Sequence, residues 1–422
     1  MKILNIGVIG FGGRGGHVAQ TAERASGGLL RTAAVYDPSD ARFARGCADF
    51  HCQPRRYAGI REMLAQESLD VIIIGSPNEF HLANLHELSG QRIPIFVEKP
   101  LDSTWERICD VVRFARAYAA PVMVGHCMRY APILQKAKAL ITEGAIGRVC
   151  SAHFVQYCHY GNGMFHNWRR EMSRSGGMMI EKATHDIDVM QWLLDARPVS
   201  VFTSAKQMVY GGERDPTLRC RDCDERLTCP ESTTNIMHRW VGNYTFDEIR
   251  HMDDLCPFAR NIDVPDDEIN LIQFDTGIHG SYSQVFYSPR SFHHRDYQIV
   301  GDRGAMDIDL GAEFGGKITL CPRYGTTGDR YEFTFDYQMR NHYNGDGAMT
   351  QHLYEVAAGT TAPHTTVAQA FLAEALGYAS VKSAAEERLV RLAELVPDDL
   401  ADTLTGTTFP PLAQHLAGAV LA

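Results

Sequence analysis

The sequence lacks an excess of positive charge. Its 422 residues contain 41 lysines and arginines against 51 aspartates and glutamates, which gives a formal net charge of −10. Nucleic acids and anionic membrane surfaces attract proteins that present a basic field, so this balance argues against both as partners. The sequence also contains no internal repeat and no low-complexity tract.

Long apolar runs are missing as well. No stretch of about 18 consecutive apolar residues occurs, so no transmembrane helix is expected. The apolar start, "MKILNIGVIGFGG", has no small-residue cleavage site and passes directly into glycines, which predicts a first strand rather than a signal peptide. We therefore expect a cytoplasmic protein whose 11 cysteines are mostly reduced thiols or metal ligands.

The chain is too long for one simple core, so two domains are expected. Over the first 125 residues, short apolar runs closed by polar residues alternate with helical patterns, which indicates a parallel sheet covered on both faces. We predict an α/β Rossmann domain over residues 1–126. Its strand-like runs are "ILNIGVIG", "RTAAVYD", "LDVIIIGSP", "IPIFVEKP" and "APVMVGH".

After about residue 148 the pattern changes to longer segments in which apolar and polar residues alternate, such as "INLIQFDTGIHGSYSQVFY". This alternation indicates an antiparallel sheet with one wetted face. We predict a C-terminal α+β domain over residues 127–390, with a large, open, mainly antiparallel sheet. A polar, cysteine-rich insertion is expected at about residues 213–267, and residues 391–422 form a C-terminal tail.

Residues 10–15 read "GFGGRG" and match G-x-G-x-x-G between a predicted strand and a predicted helix. Glycines at these positions allow a tight turn and a close approach of the backbone to a pyrophosphate. Asp37, at the end of the next strand, suits the ribose hydroxyls of NAD and would repel the 2′-phosphate of NADP; Arg42 and Arg45 soften that preference. The expected cofactor contacts in the loop are Gly10, Phe11, Gly12, Gly13, Arg14 and Gly15.

Four further segments occur at characteristic distances: "GSPNEFH" from residue 75, "VEKP" from residue 97, "HCMRYAP" from residue 126 and "GGMMIEKATHDID" from residue 176. Together they resemble the Gfo/Idh/MocA oxidoreductases over about residues 3–390. The resemblance implies a homodimer or homotetramer and places further residues beside the cofactor. Those residues are Ser76, Pro77, Asn78, His81, Glu98, Lys99 and Arg129.

The resemblance also implies hydride transfer between nicotinamide C4 and a carbon that bears a hydroxyl. The hydroxyl proton must then leave, and His185 is the natural acceptor because histidine titrates near neutral pH. Glu181, four residues earlier, would orient the imidazole or bind a neighbouring hydroxyl. Lys99 follows the fourth predicted strand and would polarise the substrate oxygen. The acid at position 181 departs from the family pattern, which has aspartate there.

Arginines occur close to this segment, in "FHNWRREMSRSGG" and in "SPRSFHHRDY". Arginine binds carboxylate or phosphate through two parallel hydrogen bonds, which would suit an anionic sugar. Ion pairing with the chain's own acids, or contacts between subunits, explains the same pattern. Asp188 either contacts the substrate or caps a loop. The candidate substrate residues are Trp168, Arg169, Arg174 and Asp188.

The insertion contains four cysteines with the spacing C-x2-C-x5-C-x26-C. Four thiolates fit a closed, structural zinc site. His238 and His251 are rival ligands, and an iron–sulfur cluster or four unconnected free thiols are the alternatives to zinc. The predicted ligands are Cys220, Cys223, Cys229 and Cys256.

These features predict an NAD-dependent dehydrogenase of a sugar, a sugar derivative or a cyclitol. An alternative is an NAD-dependent glycoside hydrolase, in which transient oxidation at C3 acidifies the C2 hydrogen before elimination, hydration and re-reduction. Such an enzyme needs a second base in addition to the same cofactor site. A non-enzymatic NAD sensor would be expected to lack Lys99 or His185, and this chain has both.

Overall fold

The computed structural model describes residues 2–236, 253–292, 294–311, 314–326, 328–338 and 342–411. Two β-sheets organise these residues. The first sheet takes all its strands from residues 4–124, and the second takes its strands from residues 149–391. The predicted fold class, a Rossmann sheet followed by a large, mainly antiparallel sheet, is confirmed. No helix in these ranges is long and apolar enough to cross a bilayer.

The first sheet has six parallel strands in the order β3-β2-β1-β4-β5-β6. This is the strand order of dinucleotide-binding folds, in which ligands bind beyond the carboxyl ends of the strands. The five predicted apolar runs all form strands; β3 was not predicted because its sequence, RRY, is short and polar. The strands are β1 (Leu4–Ile9), β2 (Leu30–Tyr36), β3 (Arg55–Tyr57), β4 (Val71–Ile74), β5 (Ile95–Val97) and β6 (Val122–Val124).

Helices cover both faces of this sheet. The first begins at the glycine loop with no side-chain cap on Gly12, so its N-terminal amide groups stay available to a ligand. The second is capped by the Ser39 hydroxyl, which accepts from the Arg42 amide. The helices are α1 (Gly13–Ala25), α2 (Asp40–Phe50), α3 (Ile60–Gln66), α4 (His81–Glu87) and α5 (Trp105–Ala117).

Within the described residues, the second sheet has nine strands in the order β14-β13-β12-β11-β7-β10-β9-β8-β15. All neighbours are antiparallel except β7 and β10, which run parallel. The strands are β7 (Val149–Tyr157), β8 (Pro198–Lys206), β9 (Asp267–Phe274), β10 (His279–Val285), β11 (His294–Gly301), β12 (Gly304–Asp309), β13 (Phe314–Pro322), β14 (Tyr331–Gln338) and β15 (Val390–Arg391).

Helices pack on one face of the second sheet and between the two sheets. The last long helix starts with a capping box made by Thr366 and Gln369. It ends at Glu386, because Glu387 adopts a left-handed conformation (φ 52°) and the chain then enters β15. The helices are α6 (Pro132–Thr142), α7 (Asn162–Phe165), α8 (Met172–Ser175), α9 (Met178–Glu181), α10 (Thr184–Leu194), α11 (Gly345–Ala357), α12 (Val367–Glu386) and α13 (Ala401–Gly406).

Helix α11 returns to the first sheet. Its Met349 and Leu353 side chains join the hydrophobic core that contains Ile6 and Val18 of the first domain. The described part of the tail also packs on the protein: the Trp192 indole N–H donates to the Pro410 carbonyl at 3.3 Å. Helix α11, far along the chain, therefore contributes to the core beside the nucleotide loop, and the tail packs against α10.

Candidate active site

The glycine loop is shaped to approach a ligand closely. Gly10 has a φ of +85°, and a Cβ there would lie 2.6 Å from the Ser76 amide nitrogen. A Cβ on Gly15 would lie 2.1 Å from the Gly10 carbonyl oxygen, whereas the same atom on Gly12 or Gly13 would meet nothing within 4 Å. The loop is therefore closely packed on its inner side and open at the N-terminus of α1. This geometry fits the pyrophosphate of a dinucleotide.

Asp37 lies at the end of β2, as the motif requires. Its buried carboxylate accepts hydrogen bonds from the backbone amides of Phe11 and Ser39, each at 2.9 Å. These bonds fix the carboxylate beside the glycine loop and leave acceptor capacity for ribose hydroxyls. The fit to NAD thus extends from the pyrophosphate to the adenosine side of the site.

Arg14, within the glycine loop, turns towards the second half of the cleft. Its Nε donates to Glu98 at 2.8 Å, and its two terminal nitrogens donate to both oxygens of Asp346 at 3.0 and 2.9 Å. This bidentate pair connects the loop to α11. Asp346 was not predicted to belong to the site.

Asn78 and His81 follow β4, where the sequence places them beside the cofactor. The two ring nitrogens of His81 lie 2.9 Å from the carbonyl oxygens of Ser76 and Pro100, so this buried ring joins the loops after β4 and β5. The Asn78 amide donates to Glu181 Oε2 at 2.7 Å. Pro77 starts the short 3₁₀ turn that carries Asn78.

Lys99 follows β5 at the carboxyl edge of the sheet. Its ammonium donates to the backbone carbonyl of Glu181 at 2.6 Å. Burial lowers the pKa of Lys99 below its ordinary value, against the attraction of the Glu181 carboxylate. A lysine ammonium in this position can polarise an oxygen in the cleft.

The Glu181 carboxylate is held by Asn78 on one oxygen and by Arg169 Nε at 2.6 Å on the other. Burial acts to raise the pKa of Glu181, but Arg169 and Lys99 outweigh it and hold that pKa below its ordinary value. The carboxylate is therefore ionised, and its partners are Asn78 and Arg169 rather than the His185 ring.

The predicted helix around His185 is interrupted. Helix α9 ends at Glu181, Lys182 leaves the helical conformation, and α10 starts at Thr184. The His185 side chain is only 4% exposed, and its Nδ1 is buried without a hydrogen-bond partner. Burial, followed by repulsion from Lys99, holds the pKa of His185 well below its ordinary value, so the ring is neutral at pH 7.

The two aspartates of α10 bind arginines. Asp188 accepts both arms of Arg129, at 2.6 and 2.5 Å, and both side chains are buried. Asp186 accepts two bonds at 2.8 Å from Arg295 of β11, and it also accepts from the Tyr297 hydroxyl. Arg129, predicted beside the cofactor, and Asp188, predicted beside the substrate, are thus each other's partners.

The remaining candidate substrate residues surround Trp168. The guanidinium groups of Arg169 and Arg174 lie 4.7 and 5.6 Å from the Trp168 ring centroid. Arg174 also donates to Glu79 at 3.0 Å. Of the second basic cluster, Arg295 is buried in its pair with Asp186, and His293 lies outside the described residues.

The structure adds His342 to this region. Its ring lies 5.4 Å from that of His185, centroid to centroid, and its Nδ1 lies 3.0 Å from Asp346 Oδ2. The i,i+4 spacing of His342 and Asp346 was a weak signal in the sequence. Its proximity to His185 depends on the return of α11 to the first sheet.

The four cysteines of the insertion line one cavity of about 290 Å³. Their sulfur atoms are not gathered tightly: among described residues, three or more candidate ligand atoms come within 4.8 Å of one another only at Cys127, His342 and Asp346. Burial raises the pKa of the Cys220 thiol to about 11. The rival ligands His238 and His251 lie outside the described residues.

The parallel sheet, its glycine loop and the acid after β2 define a Rossmann-fold, dinucleotide-binding protein. Two family models match it: one described as an oxidoreductase family with an NAD-binding Rossmann fold over residues 4–126, and one described as the GFO/IDH/MocA C-terminal domain over residues 134–307. The chain therefore belongs to the GFO/IDH/MocA family of oxidoreductases, which confirms the resemblance of its motifs.

Relatives with known names share about a quarter of their residues with the matched part of this chain. The protein YteT of Bacillus subtilis is 27% identical over 54% of this chain and 58% of its own length. Inositol 2-dehydrogenase of Corynebacterium glutamicum is 25% identical over 51% of this chain and 63% of its own. The 2,7-anhydro-N-acetylneuraminate hydratase of Escherichia coli is 25% identical over 50% of this chain and 55% of its own.

The chain therefore matches little more than half the length of these relatives. Among solved structures, levoglucosan dehydrogenase in complex with NADH and levoglucosan superimposes with a TM-score of 0.72 at 18% identity. That match covers 92% of this chain and 99% of the other. It confirms the fold over nearly the whole molecule.

Proposed function

We propose that this protein is an NAD-dependent oxidoreductase that transfers hydride between nicotinamide and a hydroxyl-bearing carbon of a sugar, a sugar derivative or a cyclitol. The observation that carries the proposal is the buried, neutral His185, whose Nδ1 has no partner and whose pKa the charge of Lys99 lowers, in a protein whose glycine loop fits NAD. Inositol 2-dehydrogenase, a relative, supports the substrate class.

The residues have separate tasks in this mechanism. Bound NAD would supply the hydride acceptor. His185 takes the hydroxyl proton, for which its neutral ring is ready. Lys99 stabilises the negative charge that develops on the substrate oxygen, and its bond to the Glu181 carbonyl aims the ammonium. The Glu181 carboxylate acts as a positioning group that holds Asn78 and Arg169.

A substrate screen tests this function. The purified protein is mixed with NAD and, separately, with myo-inositol, levoglucosan and 2,7-anhydro-N-acetylneuraminate, and NADH is followed by its absorbance. We expect at least one compound to reduce NAD, and the His185→Ala variant to reduce it far more slowly. Absence of any hydride transfer across this panel and a wider set of sugars would refute the proposal.

A second candidate function is redox-neutral cleavage, in which the transient ketone activates a neighbouring bond and is then reduced again. The hydratase relative favours this alternative to a simple dehydrogenase. The two functions differ in their products. A dehydrogenase accumulates NADH in proportion to substrate, whereas an NAD-dependent glycosidase releases aglycone from a p-nitrophenyl glycoside without net NADH.

The cleft also suits an anionic substrate. Lys182 is partly buried and lies over the Tyr160 ring, and no described carboxylate lies within ion-pair distance of its ammonium. Among the hydrogen bonds between described side chains, Arg169 donates only from its Nε, to Glu181. The two terminal nitrogens of its guanidinium, which lies over the Trp168 ring, stay available. We expect an acidic sugar to bind more tightly than its neutral analogue and to lose that advantage at high salt.

We further propose that Cys220, Cys223, Cys229 and Cys256 hold one structural zinc ion. The support is the cavity that the four cysteines share and their spacing in the sequence. Binding of a zinc ion would draw the four sulfur atoms closer together than they are in the structure. Metal analysis of the purified protein tests this proposal. About one zinc per chain is expected; iron with acid-labile sulfide would assign a cluster instead, and no metal would leave four thiols.

We also propose a homodimer or homotetramer that forms through the outer face of the second sheet. Phe202 on β8 is paired with Leu271 on β9, and both side chains are exposed, as is the neighbouring Ile269. Light scattering of the Leu271→Asp variant should report a smaller particle than the wild type. A cytoplasmic location agrees with the 11 free cysteines.

A further inference from the structure

His342 faces the same part of the cleft as His185, but its surroundings differ. Its side chain is 29% exposed, and its Nδ1 lies 3.0 Å from Asp346 Oδ2. None of the described residues makes a hydrogen bond to its Nε2. The free nitrogen of the ring is therefore available to a bound molecule.

Asp346 determines which nitrogen of His342 carries the proton. Burial acts to raise the pKa of Asp346, but His342, His17 and Arg14 outweigh it and hold that pKa well below its ordinary value. The carboxylate is therefore ionised and can only accept hydrogen bonds. His342 must donate from Nδ1, which leaves Nε2 as a base.

The backbone that carries His342 is unusual. His342, Tyr343 and Asn344 all have left-handed conformations, with φ of 47°, 58° and 66°. Each such residue costs on the order of 1 kcal/mol, so three in succession persist only where the surroundings hold them. Tyr343 supplies one such anchor, because its ring is buried and packs edge-on against Tyr337 at 5.4 Å. The turn thus presents His342 in a fixed position.

The two histidines differ in the partner that each one has. His342 is oriented by a carboxylate, in the manner of a histidine–aspartate pair that transfers protons. His185 has no such partner. Burial lowers the pKa of both rings, but the Asp346 carboxylate opposes that shift at His342, whereas the charge of Lys99 adds to it at His185. A reaction that moved only one proton would need only one of these rings.

We propose that His342 is a second proton-transfer residue of this cleft, that Asp346 positions it, and that it acts on the carbon next to the one that is oxidised. The inference rests on the proposed oxidoreductase function. Once the hydride and the hydroxyl proton have left, the new carbonyl acidifies the neighbouring C–H bond. His342 Nε2 takes that hydrogen as a proton. The C–H electron pair forms a carbon–carbon double bond, and the carbonyl π pair moves onto the oxygen beside Lys99. Return of the proton reverses each change.

Hydrogen exchange in D₂O tests the proposal. The holoenzyme is incubated with the panel compound that the wild type oxidises fastest, and deuterium at the neighbouring carbon is followed by NMR. The wild type should incorporate deuterium. His342→Ala should slow the exchange on the order of 100-fold more than it slows hydride transfer, as expected for loss of a general base. Free imidazole should restore the exchange. His86→Gln, an exposed histidine on α4, is the control.

Several results would overturn the proposal. Hydride transfer without hydrogen exchange in the wild type is the first, and equal loss of both rates in His342→Ala is the second. Failure of imidazole to restore the exchange is the third. The fourth is a loss of NADH affinity in His342→Ala, measured by fluorescence, that matches the loss of exchange, because it would assign His342 to cofactor binding. If no panel compound is oxidised, the proposed function fails separately. Nitrogen-15 NMR then still tests the pair without a sugar, because a proton on His342 Nε2 at neutral pH contradicts it.

Discussion

Helix α10 contains two kinds of ionisable group within a few residues. Asp186 and Asp188 are fully paired, each with both arms of an arginine. His185, directly before Asp186, is equally buried, yet its Nδ1 has no partner. Groups that hold the structure together have satisfied hydrogen bonds, whereas groups suited to chemistry keep unused capacity and shifted pKa values.

The paired aspartates also explain why His185 can remain unpartnered. Asp186 binds Arg295 on a strand of the second sheet, and Asp188 binds Arg129 in the turn after β6 of the first sheet. The helix is therefore connected to both sheets by buried ion pairs on either side of the cleft. This attachment fixes the position of His185 without a hydrogen bond to its ring.

The largest expected effect is the loss of turnover when His185 or Lys99 is replaced. His185→Ala and Lys99→Ala should each lower kcat with the screened sugar by roughly 10²–10⁴-fold, because each removes a proton acceptor or a charge that stabilises the oxyanion. NADH affinity, measured by fluorescence, should change little for His185→Ala. Unchanged turnover in both variants would contradict the roles given to them.

The second-largest expected effect is a loss of stability when a paired aspartate of α10 is replaced. Asp186→Ala leaves Arg295 buried without its carboxylate, and breaking such a buried pair costs about 3–5 kcal/mol. The urea midpoint of unfolding should fall accordingly. The control is Glu394→Gln on the exposed pair with Arg388, which should leave the urea midpoint almost unchanged because solvent screens such a pair. Equal midpoints for the two variants would show that Asp186 is not a structural anchor.

Most of the fold could be predicted from local patterns. Among the described residues, apolar runs and alternation predicted the strands of both sheets except the short β3 and β15. The partners of α10 could not be predicted in this way. Arg129 and Arg295 are 59 and 109 residues from the aspartates that they bind, and no periodicity within α10 points to them. The interruption at Lys182 was missed because the apolar pattern continues through it.

Candidate site residues that lie in short motifs at strand ends were predicted, and residues that distant segments bring to the site were not. The glycine loop, Asp37 and the segment around Lys99 lie at strand ends, so the fold alone brings them together. His342 enters only because α11 packs on α1, a contact that depends on the whole tertiary structure. Sequence motifs thus predicted the surroundings of the glycine loop more completely than the surroundings of His185.

A smaller effect is expected at Asp37, which belongs to neither group because its bonds leave room for a ligand. Asp37→Asn keeps the size of the side chain but removes the charge that suits ribose hydroxyls and repels a 2′-phosphate. NAD affinity should fall roughly tenfold, as expected for loss of a hydrogen bond to a charged group. Binding of NADP should weaken less or improve. An unchanged ratio of the two affinities would contradict the predicted preference.

The smallest expected effect tests how the unpartnered histidine is tuned. Oxidation needs neutral His185, so kcat/KM should fall as the pH drops through the pKa of His185. Burial, and then the charges of Lys99, His342 and Lys182, hold that pKa well below its ordinary value. Lys182→Met removes one positive charge that disfavours the imidazolium. The pKa of His185 should therefore rise, and the acid limb of the kcat/KM profile should move to higher pH. Lys382→Met, on an i,i+4 surface pair with Glu386, is the control and should leave the limb in place. A limb that stays in place or moves to lower pH in Lys182→Met would mean that His185 is not the group whose ionisation limits the reaction.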